Sequence, residues 1–167
     1  MIHTIEEFLA IWKQESDGTR RILGALTDTS LGQAVADDHR TLGRMAWHIT
    51  CTMPEMIGRT GLKIDSPKEN DPVPNSAAAI QAAYDRTASS LAEQIKKNWT
   101  DATLQVEDDM YGFTWKRGQT LAVVITHEVH HRGQMTVLMR QAGLSVPGVH
   151  GPSKEEWTQH GMQPPTV

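Results

Sequence analysis

The stretch that most constrains the fold is Gly61–Asn75, GLKIDSPKENDPVPN, which places Pro67, Pro72 and Pro74 between two segments of helical periodicity. A connection this long is uncommon in a compact domain unless it crosses the molecule or has a function of its own. It lets the helices on either side run parallel, as in bundles with one long crossover. Upstream, Thr4–Leu26 reads as a first helix, with Ile5, Phe8, Leu9, Trp12, Ile22, Leu23 and Leu26 at helical spacing. Thr4 and Glu7 stand in capping-box positions at its start. Asp28–Asp38 is a polar connection in which Leu31 and Val35 could serve as anchors. The second helix, Arg40–Arg59, has the stripe Leu42, Met45, Ile49, Met53 and Met56, and Pro54 predicts a bend or a disturbed last turn.

Beyond the crossover, Ser76–Asn98 is a third helix with the seam Ile80, Ala83, Thr87, Leu91 and Ile95. Thr100–Lys116 is broken by Glu107, Asp108, Asp109 and Gly112 and suits an extended or hairpin-like connection. A fourth helix spans Gly118–Ala142 and stops at Gly143. The tail after it is dense in glycine and proline, with one short helix expected over Ser153–His160. These readings give an all-α four-helix bundle, a single domain over residues 1–167, with a long crossover between helices 2 and 3 and an irregular C-terminal tail. Val146 and Trp157 in that tail predict that it packs on the bundle, at the mouth of a site or against a partner.

At 167 residues the chain buries a core that needs neither disulfide nor metal to fold. A net charge of −4, with 16 Lys and Arg against 20 acids and no basic block, argues against nucleic acid as a partner. The single cysteine, Cys51, allows no internal disulfide and fits a reducing, cytoplasmic compartment. No apolar run approaches the ~20 residues that span a bilayer, so no membrane partner is expected.

The segment Thr126–Met135, THEVHHRGQM, lies inside the fourth helix. Residues four apart share a helix face, so His127 and His131 can aim at one atom, whereas His130 is off that line. Val124, Gln134 and Leu138 share their face, which suits a partly buried position. His48 stands at the margin of the apolar stripe of the second helix, and metal sites in bundles are built from facing helices. His48, His127 and His131 together would supply three imidazoles and leave coordination positions open, as catalytic metal sites do. Neutral imidazoles suit zinc, nickel, copper or iron, while a carboxylate-rich set for magnesium or calcium is lacking. Glu128 is the nearest carboxylate on the same helix and a candidate base, and Glu55 lies one ridge from His48. Arg132 and Gln134 could orient a substrate or hold the helix to its neighbours. Cys51 could be a ligand or nucleophile, against the plainer reading of a small buried apolar residue. A competing motif overlaps: His127, Glu128 and His131 also spell H-E-x-x-H, the zincin pattern, with Glu155 or Glu156 as its distal ligand.

LGRMAWHI (Leu42–Ile49), HEVHHRGQMTVLMRQAG (His127–Gly143) and VPGVHGPSKEEW (Val146–Trp157) resemble the DinB-like family of metal-dependent four-helix-bundle proteins, also described as YfiT-like. The resemblance covers most of the chain, and HHRGQ is its most specific part. It implies ligands at His48, His127 and His131, a divalent metal that is usually zinc or nickel with iron as an alternative, and a homodimer. It also implies a metal-activated thiol or water nucleophile, as in a thiol S-transferase or a hydrolase, with a small-molecule substrate such as a low-molecular-weight thiol. A non-catalytic metal-binding or stress-response bundle is the alternative class.

Overall fold

The computed structural model describes residues 1–68 and 70–166. Four helices dominate it: α1 (Ile5–Gly24), α2 (Leu42–Gly58), α3 (Ala77–Asn98) and α4 (Arg117–Gln141). The caps follow the sequence, except that the Glu7 carboxylate accepts the His3 N–H at 2.8 Å, so the expected capping box is made only from the Thr4 side. Thr4, Thr41 and Ser76 have extended backbones, and each side chain accepts the N–H three residues on, satisfying donors that a helix start leaves orphaned.

Hydrogen bonds between distant residues fix the topology. At one end of the bundle, Ile2 N–H donates to the Gly118 carbonyl at 3.0 Å, Ile5 N–H to Asp101 Oδ1 at 2.8 Å and Arg117 Nη2 to the Thr60 carbonyl at 3.0 Å. That end therefore gathers the starts of α1 and α4 and the ends of α2 and α3. At the other end, Ala77 N–H donates to Asp28 Oδ1 at 2.7 Å, joining the start of α3 to the chain just after α1. Helices α2 and α3 thus run parallel, and residues 61–76 carry the chain back along the whole bundle. This crossover is pinned to both of its helices. Trp47 Nε1 donates to the Asp71 carbonyl at 3.2 Å, and Asp65 N–H donates to Ser90 Oγ at 2.8 Å. Gly118 is required where the N-terminal arm meets α4, because a Cβ there would lie 2.3 Å from the Ile2 carbonyl oxygen.

The core is continuous through all four helices, with Phe8, Trp12, Ile22, Leu42, Ile49, Ile80, Tyr84, Leu91, Ile95 and Leu121 among its buried residues. Helix α2 continues through Pro54 to Gly58, so the proline ends no turn early. Between α3 and α4 the chain forms a short 3₁₀ turn and an antiparallel hairpin, β1 (Glu107–Met110) with β2 (Phe113–Lys116). The two-residue turn has positive φ at both Tyr111 (61°) and Gly112 (82°), the mirror-type geometry that matches strand twist. Glycine adopts it freely, while tyrosine needs contacts that hold it there.

Two local expectations change. Leu31 is buried as an anchor, but Val35 is 59 % exposed. The short helix expected over Ser153–His160 shrinks to a 3₁₀ turn at Trp157–His160. The Glu156 carboxylate instead accepts Gly148 N–H and Ser153 N–H, both at 3.0 Å, and ties the tail into a compact loop. That tail packs on α1 and α4. Val146 is buried, Val149 lies against Gly18, Arg21 Nε donates to the Gly148 carbonyl at 3.3 Å, and Arg132 Nη2 reaches His150 Nε2 at 3.0 Å.

Candidate metal centre

The antiparallel contact of α2 with α4 sets His48 opposite His127 and His131. One donor atom from each lies within 4.8 Å of the others. The His127 and His131 Nε2 atoms are 3.2 Å apart, and the His48 ring centroid is 5.1 Å and 4.6 Å from those of His127 and His131. His131 is buried and the other two are half-buried.

The surroundings prepare these rings as nitrogen donors. Burial first, then the Arg40 charge and the neighbouring imidazoles, pushes His48 down to about 4. Burial and the flanking His131 and His130 push His127 down to about 4 as well. His131 is also lowered, chiefly by burial, against the opposing effect of the hydrogen bond that its ring donates to Gln134. All three are therefore neutral at pH 7, the form a metal requires. His131 Nδ1 lies 2.7 Å from Gln134 Oε1, which holds the ring proton on Nδ1 and leaves Nε2 a lone pair. Thr52 acts alike at His48. Its hydroxyl donates to the His48 carbonyl at 2.7 Å, leaving the oxygen to accept from Nδ1 at 3.4 Å. Three neutral nitrogens without a carboxylate are a fitting donor set for zinc, nickel or another late transition metal, and a poor one for magnesium or calcium.

A cavity of about 570 Å³ opens on His48 and His127 and is also bordered by Arg44, Trp47, Cys51, Glu55, Arg59 and Tyr111. Glu55 sits in a short chain of contacts there. Arg59 Nε donates to Glu55 Oε1 at 2.8 Å, the Tyr111 hydroxyl donates to Glu55 Oε2, and the Arg59 guanidinium lies 4.2 Å above the Tyr111 ring. Burial and the Glu55 contact raise Tyr111 to about 12, so the phenol keeps its proton. These contacts hold the hairpin tip in its positive-φ turn, at the border of the cavity. Tyr111 was not legible as a site residue, because the hairpin reaches α2 only in three dimensions, whereas the i,i+4 spacing of Glu55 and Arg59 was a local signal for their pairing. Cys51, the single thiol of the chain, is half-buried on the wall of the same cavity.

Glu128 turns into the bundle interior. It follows His127 by about 100° of helix turn, and its Oε1 accepts from Thr19 Oγ1 at 2.6 Å and Tyr84 Oη at 2.8 Å, buried among α1 and α3. Burial raises its pKa in spite of both hydrogen bonds, which favours the neutral acid. Arg132, one turn on, donates to Glu15 Oε2 at 2.6 Å and to the Glu15 carbonyl at 2.8 Å. It binds α4 to α1 on the face away from the histidines. His130 is exposed, with its ring 4.8 Å from that of His131. The distal ligands of the zincin pattern are engaged elsewhere: Glu155 is ion-paired with Arg140, and Glu156 holds the Gly148 and Ser153 amides. The third residue that joins His127 and His131 is His48.

A helical bundle with a crossover between α2 and α3 and a histidine from α2 facing a pair on α4 defines the class. The chain belongs to the DinB family, which it matches over residues 1–164. It is 43 % identical to the uncharacterized protein YrdA of Bacillus subtilis strain 168, over the full length of both chains. A crystal structure of a DinB-like protein from Bacillus cereus ATCC 10987 superposes with a TM-score of 0.87 at 45 % identity, covering 90 % of this chain and all of that one. The DinB-like protein YjoA of Bacillus subtilis, at 17 % identity and a TM-score of 0.66, covers 86 % of this chain and 96 % of its own and shares the fold. Among the described residues, no helix is long and apolar enough to cross a membrane.

Proposed function

We propose that His48, His127 and His131 bind a divalent metal, zinc or nickel, and that the centre activates a small nucleophile for transferase or hydrolase chemistry. The observation that carries this reading is the convergence of three neutral imidazoles from two helices beside a cavity of about 570 Å³. When bound, such a metal supplies Lewis acidity that makes a thiol or water nucleophilic near neutral pH. The protein's own part is to hold donors, charge and space around it. Gln134 and Thr52 fix two of the rings through their Nδ1 atoms. Arg44 has no carboxylate partner among the described residues and supplies an uncompensated positive charge on the cavity wall, which favours an anionic nucleophile such as a thiolate. Glu55 is the carboxylate in the same cavity and the candidate acceptor for the nucleophile's proton, with Arg59 and Tyr111 fixing its position. The volume is many times the ~30 Å³ share of a single water and suits a small organic molecule, so a low-molecular-weight thiol is the preferred nucleophile.

The test is metal analysis of the purified protein, followed by a screen of thiols against electrophiles with and without added zinc or nickel. Each of His48→Ala, His127→Ala and His131→Ala should lower bound metal sharply, and His130→Ala should spare most of it. Full metal occupancy in His48→Ala would overturn the three-histidine centre.

A further inference from the structure

A second cavity, of about 370 Å³, lies on the other side of the histidine cluster, where His131 forms part of its wall. Its character differs from the first. The floor is Met45 and Leu138, both buried, and the rim is Val35 and Val137, which are 59 % and 56 % exposed. One charged side chain borders it, Arg40, which has no ion-pair partner among the described residues. The volume falls in the range of small-molecule sites, and an apolar lining with a few placed polar groups is their usual composition. An unpaired guanidinium at the edge of an apolar cleft is a binding point for a carboxylate, sulfonate or phosphate. A second protein chain is a poor occupant. Val35 and Val137 are the two large exposed apolar residues of this cleft, flanked by exposed His39, Arg40 and Gln134. A stable protein interface needs about 800 Å² per partner with an apolar centre.

We propose that this second cavity is a subsite for a small, largely apolar molecule bearing one anionic group, seated on Met45, Val137 and Leu138 with its anion at Arg40. The histidine cluster then lies between two compartments, a polar one at Arg44 and Glu55 and an apolar one at Arg40 and Val137. That the apolar molecule is a second substrate rests on the metal-centre reading; that it binds does not.

The experiment uses two fluorescent probes of the same shape, anilinonaphthalene sulfonate and neutral N-phenylnaphthylamine, titrated into the full-length protein before and after removal of metal with a chelator. The expected result is one saturable site per chain for both probes. Val137→Glu should weaken both by about tenfold or more, which corresponds to about 1.4 kcal/mol. Arg40→Ala should weaken the sulfonate by about tenfold and leave the neutral probe within about twofold. Val35→Glu, on the opposite rim and in a loop, provides an independent block should Val137→Glu unfold. Wild-type affinity in both rim variants would overturn the proposal. So would equal weakening of both probes by Arg40→Ala, or a dimer that becomes monomeric in both rim variants as probe binding is lost. Metal content is measured on the same samples. Probe binding as expected in a protein without affinity for metal would sink the metal reading and leave the subsite standing, and the reverse result would sink the subsite alone.

Discussion

Replacing Arg132 with methionine tests how the histidine helix is held in register. Arg132 and Glu15 are 3 % and 6 % exposed, and their contact spans α4 and α1 with Nη2 2.6 Å from Oε2. Nη1 also donates to the Glu15 carbonyl at 2.8 Å and to Thr19 Oγ1 at 3.2 Å. Methionine fills much of the space but leaves the Glu15 carboxylate buried without its guanidinium, beside the His150 imidazole at 3.3 Å. Breaking a buried pair from one side costs about 3–5 kcal/mol, because the remaining charge is uncompensated. For a domain of this size, that corresponds to a fall in Tm of about 6–20 °C. The assay is urea unfolding of apo wild type, Arg132→Met, Glu15→Met and the double variant, with the slope of the transition checked for constancy. The double variant should lose clearly less than the sum of the two single losses, since it buries no unpaired charge. A loss below about 1 kcal/mol for Arg132→Met, or strict additivity in the double variant, would refute the reasoning.

Other outcomes follow from the same contacts. The folded apo protein holds His48 and His127 near 4, below the ordinary 6.5. Between those values the unfolded chain binds more protons, so apo stability should fall as pH drops from about 6.5 to 4, and thermal melts with a chelator present would reveal the slope. Glu128 has the opposite sign. Its raised pKa means that the folded state keeps a proton the unfolded chain releases above 4.5, which costs stability as pH rises. Glu128→Gln should therefore gain on wild type as pH increases from 5 to 8, and a difference that is flat with pH would count against a neutral acid at this position. At Gly18 a Cβ would stand 2.6 Å from Val149 Cγ1, so Gly18→Ala should loosen the tail and speed limited proteolysis beyond Gly143 while the helices keep their circular dichroism. Removing residues 145–167 should lower stability, since it strips Val146 and the His150 contact from the bundle.

The helices were legible because burial on one face leaves a 3.6-residue period that needs no partner to be seen. The long Gly61–Asn75 connection, incompatible with a tight hairpin, pointed to parallel α2 and α3 for the same local reason. The His127–His131 pair was visible from spacing alone, since helix geometry fixes what residues four apart can reach. What joins the pair depended on tertiary structure. His48 becomes the third member because α2 packs antiparallel to α4, a relation between residues about eighty positions apart. Glu128, adjacent to His127 in sequence, was the nearest carboxylate on paper, yet one step along a helix rotates it toward Thr19 and Tyr84. Glu55 has Arg59 as a local partner one helical turn on, but it gained Tyr111 only when the hairpin turned back onto α2. The sequence determines which side chains share a face of one helix, because that geometry is local and periodic. Which faces meet is decided by packing of the whole core, and the donor set of the site is a consequence of that packing.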